Sequence, residues 1–336
     1  MRMLLLAASL PLMAAVDGVV MNGTTGKPQA GATVSIYKFG DAGMESMETV
    51  KADAQGKFAF QYTVPPGGPS LIQAAFEGVT YNKMLNPGAP VSGVEVEVFS
   101  ALPKPGEAKV SQHMILFEPV EGKLIMSENV IYQNTGKTTY NDPAGSFRFY
   151  MPKEAGGKAK VMCAAPNGMP IEKSPSPTKV DGVYAIDFPI KPGETRFQVT
   201  YEMPMPDPAV FSGRILHKEG QTRLVTPKGV SLKSDAIQEL GREPSTQAAI
   251  YNVKGENFRV EIDGSGALRE TAAEGGAGED GPSIQEIMPR VYDRLYWVLG
   301  LASAVLLLGL FLVYRSSGST TAQQASATPG KGKRRA

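Results

Sequence analysis

The residues of this chain that could do chemistry are few. They are two histidines, His113 and His217, one cysteine, Cys163, and acids spread along the sequence. A histidine can act as general base or metal ligand, and a thiolate can act as nucleophile. Spacing supports neither role. His113 lies in the strand-like run Val110–Phe117 and reads as a structural side chain, whereas His217 sits beside Lys218 and Glu219 near a turn. No serine, cysteine or acid stands at a distance from either that proposes a triad, and neither a GxSxG elbow nor an HExxH helix occurs. One cysteine cannot form an internal disulfide or supply a four-cysteine zinc site. Cys163, within Lys160–Ala165, reads as a small buried hydrophobe. Residues remote in sequence can still meet in a fold.

The other candidates read as ordinary surface or core. Glu45, Glu48, Glu95 and Glu97 raise the question of cation binding, but Glu95 and Glu97 share one strand face and no DxDxDG loop is present, so a solvated face is expected. Asp53, Gln55 and Gly56 form a turn. The methionine pairs Met44/Met47 and Met203/Met205 suit adaptable packing better than a thioether metal site. Glycine-rich stretches lack the Lys-Ser/Thr of a phosphate loop. With 34 basic against 33 acidic residues and no basic stripe interleaved with aromatics, no nucleic-acid partner is expected. The residues thus predict no catalytic, cofactor-binding or metal site, no cofactor, and no enzymatic activity.

The elements that would position any site are strands. Thirty-seven glycines and 26 prolines in 336 residues favour turns over helices. Alternation at Val34/Ile36, Phe58/Phe60/Tyr62/Val64 and Val94/Val96/Val98 predicts half-buried strands in residues 17–102. A second β-sandwich is predicted over 104–206. There Leu124, Met126, Val130 and Tyr132 share a face with Glu128, which is expected to reach water, and Gly145/Phe147/Phe149 repeats the Gly56/Phe58/Phe60 spacing. The proline-rich Asn167–Thr178 reads as a surface loop. Residues 207–263 read as a third small β module or a continuation of the second, the third module being favoured. Helical turns are expected over Ser234–Leu240 and a closing hairpin over Tyr251–Ile262. The fold class is therefore mainly β: tandem small sandwiches of transthyretin-like or immunoglobulin-like kind.

Val20–Tyr37 (VMNGTTGKPQAGATVSIY) and Thr49–Phe60 (TVKADAQGKFAF) carry a recognisable pattern. Gly23, Gly26-Lys27-Pro28, Gly31-Ala32-Thr33-Val34, Asp53, Gly56, Phe58 and Phe60 resemble the carboxypeptidase regulatory-like domain, a transthyretin-like β-sandwich. The resemblance implies an accessory domain without catalytic residues. Residues 104–290 resemble stretches of bacterial membrane-anchored envelope proteins.

The two ends set an expected location. Residues 1–15 (MRMLLLAASLPLMAA) combine Arg2, a short apolar run and small residues, and read as a signal peptide. Residues 264–289, rich in Gly and Glu, read as a flexible stalk. Residues 295–314 (LYWVLGLASAVLLLGLFLVY) carry no charge and, at roughly 1.5 Å rise per residue, match a bilayer core, with Tyr296, Trp297 and Tyr314 near the interfaces. Residues 315–336 read as a basic, disordered cytoplasmic tail. The expectation is a single-pass protein of a bacterial inner membrane with its body in the periplasm or extracellular space. Its job would be a scaffold or interaction subunit facing an envelope or membrane protein complex. A carbohydrate-binding or sensory module using exposed Tyr132, Tyr140, Phe147 and Tyr150 is the alternative.

Overall fold

Gly18 shows how tightly the first sheet is drawn together: a Cβ there would lie 2.0 Å from the Val94 carbonyl oxygen and 2.7 Å from the Phe58 ring. Only a residue without a side chain lets the strands on either side approach this closely. The computed structural model describes residues 15–40, 43–65 and 67–268. Residues 1–14, the stalk beyond residue 268, the 295–314 segment and the 315–336 tail lie outside the described residues. Among the described residues no helix is long and apolar enough to cross a membrane.

The first body contains β1 (Ala15–Asn22), β2 (Lys27–Pro28), β3 (Thr33–Gly40), β4 (Gly43–Lys51), β5 (Lys57–Thr63), β6 (Ser70–Phe76), β7 (Val79–Leu85) and β8 (Val94–Val98). In one sheet β1 pairs β2 and β5 antiparallel and β8 parallel; the other runs β4-β3-β6-β7. The period-two pattern holds: Val94, Val96 and Val98 are buried while Glu95 and Glu97 face solvent. They meet Phe58 and Phe60, and Val34, Ile36, Ile72 and Tyr81 from the facing sheet, in one core. The result is a β-sandwich. Asp53 caps its turn as expected, its carboxylate accepting hydrogen bonds from the Gln55 and Lys57 amides at 2.8 Å.

The chain continues through β9 (Ala101–Leu102), β10 (Ala108–Val120), β11 (Lys123–Asn134), β12 (Thr139–Tyr140), β13 (Phe147–Tyr150), β14 (Lys160–Ala164), β15 (Ile171–Lys173), β16 (Ser176–Pro177), β17 (Val183–Ile186) and β18 (Gly193–Pro204). It ends with β19 (Val210–Arg214), β20 (Thr222–Thr226), β21 (Val230–Lys233), β22 (Ile237–Arg242), β23 (Ala249–Val253) and β24 (Asn257–Gly264). One eight-stranded sheet runs β15-β14-β18-β11-β10-β20-β23-β22. Two three-stranded sheets, β13-β17-β16 and β19-β24-β21, and the two-stranded β12-β9 complete the β structure of this part. Phe147 stacks on Phe197 at 4.2 Å in the first half, and Phe117 meets Phe211 edge to face at 5.2 Å in the second. A single hydrophobic core joins residues 104–206 to 207–263, since β10 and β20 pair directly.

Three local expectations are corrected. Ser234–Leu240 forms no helical turn: Ile237–Arg242 is strand β22, because β23 supplies its hydrogen bonds and the core takes Ile237. Tyr251–Ile262 is not a hairpin, since β23 belongs to the eight-stranded sheet and β24 to a three-stranded one. The proline-rich Asn167–Thr178 holds two short edge strands, β15 and β16; proline is tolerated at an edge, where its missing N–H faces no partner.

The two bodies are joined by polar contacts. β9 pairs β12 in parallel. The Tyr81 hydroxyl donates to the Phe99 carbonyl at 2.9 Å and lies 2.8 Å from Thr139 Oγ1, whose proton it accepts. Lys191 donates to the Thr80 carbonyl and sits 5.1 Å from the centre of the Tyr81 ring. Thr24 Oγ1 donates to the Lys137 carbonyl, and Glu77 accepts from the Ala101 amide at 2.7 Å.

Candidate functional site: a glutamate and two histidines in one cleft

A β-bulge places the first residue of the site. The register of β10 against β11 slips between Val110 and Gln112. Before the slip Ala108 and Val110 point inward; after it His113, Ile115 and Phe117 do. One extra residue inverts the phase of a strand, and His113 thereby turns into the sheet's covered face. It is 3% exposed.

Neighbouring strands supply its partners. On β11, His113 stands opposite Val130 and Glu128 stands opposite Ile115, a diagonal placement that brings the carboxylate to the ring. Glu128 Oε1 is 2.8 Å from His113 Nε2. The approach is off the straight N–H direction, so it is a close polar contact more than an aligned hydrogen bond. Glu128 is 8% exposed, which corrects the expectation that it reaches water. On the other side the parallel β10–β20 pairing sets Thr222 opposite His113, with Thr222 Oγ1 2.9 Å from His113 Nδ1.

His217 arrives from the loop between β19 and β20. Its Nε2 lies 2.7 Å from His113 Nδ1, and the rings meet edge to face with centroids 4.9 Å apart. The loop is held against β10. Gly220, at φ +88°, approaches so closely that a Cβ would lie 2.5 Å from the Val110 carbonyl oxygen, and Lys109 pairs with Glu219 at 3.4 Å.

Donor and acceptor capacities fix where protons sit. His217 Nδ1 is 2.6 Å from the Glu219 carbonyl oxygen, which only accepts, so Nδ1 carries the proton and a neutral ring offers Nε2 as an acceptor. His113 has two tautomers here: with its proton on Nδ1 it donates to His217 Nε2, and with its proton on Nε2 it turns the N–H toward Glu128 and leaves Nδ1 bare. Burial, and secondarily the charge of His113, hold the His217 ring below the usual histidine range. Burial foremost also pushes the Tyr132 and Tyr201 hydroxyls up, and the Glu128 charge adds to it.

Glu128 and both histidines line a cleft of about 380 Å³. Phe147 and Phe149 line it from β13, Arg214 and Leu216 from the end of β19 and beyond, and Val130 from β11. Chemically the arrangement can pass a proton between a half-buried imidazole and a buried carboxylate, or hold a cation.

Sequence reasoning found neither the pairing of the histidines nor the burial of Glu128. Its other candidates fall elsewhere. Cys163 is fully buried on β14, its thiol pushed up to about 12 by burial. Glu45 pairs with Lys38 at 3.1 Å, and Glu48 accepts from the Tyr62 amide at 2.8 Å. Met44 is exposed and Met203 buried. Of the aromatics proposed as a sugar platform, Phe147 is buried between Phe149 and Phe197, and Tyr132, Tyr140 and Tyr150 are only partly exposed.

The chain matches no protein-family model and no curated protein. Among solved structures it is similar to the 5-hydroxyisourate hydrolase of Klebsiella pneumoniae, at 17% identity over 26% of this chain and 90% of that one, with a TM-score of 0.21.

Proposed function

We propose that this protein is a membrane-tethered scaffold that presents a rigid pair of β bodies to a protein partner in a bacterial cell envelope. In this reading residues 1–15 direct export, 264–289 form a stalk, 295–314 anchor the chain and 315–336 remain in the cytoplasm. The first sandwich is taken as a carboxypeptidase regulatory-like, transthyretin-like domain, and no reaction is assigned to the body.

The observation that carries this reading is the joint between the bodies. Tyr81, Thr139, Lys191, Thr80, Glu77 and the β9–β12 ladder cross it with directional bonds. Flexible tethering would need none of these contacts. A joint closed by directional bonds suits a subunit that sets the position of another protein.

Two measurements test it. Gentle solubilisation of membranes and pull-down on the full chain is expected to recover a stoichiometric protein partner. Protease treatment of sealed vesicles with known sidedness is expected to cut the body and the tail from opposite faces. Recovery of the chain alone, or full-length protein that stays monomeric in water without detergent, overturns the proposal.

A further inference from the structure

We propose that His113 Nδ1 and His217 Nε2 are the two protein ligands of a site for a transition-metal cation of the copper–zinc class. Three observations lead there. The facing nitrogens are 2.7 Å apart, and the opposite nitrogen of each ring already faces an acceptor, the Glu128 carboxylate on one side and the Glu219 carbonyl on the other. When each ring turns its one N–H to that outer acceptor, two bare lone pairs face each other, and a cation bound between them relieves their repulsion. A carboxylate or carbonyl behind the imidazole is the support that ligating histidines use, since it fixes the tautomer and raises the basicity of the ligand.

Thr222 Oγ1 adds a third donor, 2.9 Å from one facing nitrogen and 3.4 Å from the other. Metal–nitrogen bonds of roughly 2.0–2.1 Å at angles between a right angle and the tetrahedral value need about 2.9–3.3 Å between the nitrogens. The rings must therefore part by a few tenths of an ångström, which the half-buried His217 on its loop can supply. Imidazole donors select copper, zinc and nickel over magnesium or calcium. Among the described residues no group of three or more His, Cys, Asp or Glu side chains converges on a metal position. Both histidines line the cleft, where an exogenous ligand can complete the site.

The site is independent of the scaffold reading and is tested separately. Chelator-treated full-length protein in detergent is titrated with Cu²⁺ and followed by electron paramagnetic resonance. One saturable equivalent with coupling to two nitrogens is expected. His217→Ala, a change in a loop side chain, is expected to abolish that equivalent while leaving the melting temperature within a few degrees. Glu128→Gln is expected to weaken binding roughly 10–100-fold, as loss of an outer-sphere partner does. A two-nitrogen signal unchanged in His217→Ala, or no saturable copper in the parent protein, overturns the proposal and leaves an N–H···N hydrogen bond between the rings.

Discussion

Tyr81 of the first sandwich and Thr139 of the second share a hydrogen bond of 2.8 Å, across 58 residues of chain and across the joint between the two bodies. Thr139 is fully buried and Tyr81 nearly so. The bond thus closes the joint in a place that water does not reach. Tyr81→Phe, which strands the Thr139 hydroxyl and frees the Phe99 carbonyl, is expected to cost about 1–2 kcal/mol, and Thr139→Val, after which Tyr81 still donates to Phe99, about 1 kcal/mol. A double-mutant cycle by urea denaturation should give a coupling of about 1 kcal/mol; strict additivity would mean that the bond does not hold the joint.

Lys191, beside the same tyrosine, gives the joint a pH dependence. Burial lowers its ammonium to about 8 from 10.5. Between those values the unfolded chain binds more protons than the folded one, so stability from this group rises as pH rises from about 8 to 10.5 and is lost as pH falls through 8. Lys191→Met removes the group, and the melting temperature of this variant, compared with the parent between pH 8 and 9, should climb less. Parallel profiles would show that Lys191 is charged and solvated.

Cys163 acts with the opposite sign. Its thiol is raised to about 12 from 9.0, so its contribution is complete below about pH 9 and lost as pH rises towards 12. Cys163→Ala should lose about 1 kcal/mol at pH 7 and show a shallower decline in alkali. The native thiol is expected to resist an aromatic disulfide reagent at pH 8 and to react at once in guanidinium. Rapid reaction in the folded state would place the sulfur at the surface.

Phe197 is the centre of the larger core. It stacks on Phe147 at 4.2 Å and meets Tyr132 and Phe188 edge to face at 5.8 Å. Phe197→Ala is expected to cost about 3–5 kcal/mol and Phe197→Leu less than half of that. Equal losses in the two variants would argue against a packed aromatic cluster.

The strands were legible because alternation is a local property: Val94, Val96 and Val98 read as buried from spacing alone, and so did Phe58 and Phe60. Where locality fails, so does reading. Val110 and His113 both face inward despite an odd spacing, because a bulge resets the phase between them, and a bulge is fixed by the partner strand. Ser234–Leu240 reads as helical turns, yet Ile237–Arg242 is a strand because β23 pairs with it.

The same division governs the cleft. The sequence by itself determined the supply of groups: two histidines, a glutamate in phase with a buried face, and no pattern joining them. Only the tertiary structure decided that they meet. Parallel pairing of β10 with β20 sets Thr222 beside His113 and delivers the His217 loop to the same point. The physical reason is that side-chain period is written into neighbouring residues, whereas register, bulges and parallel pairing across a hundred residues are settled by the free energy of the whole sheet.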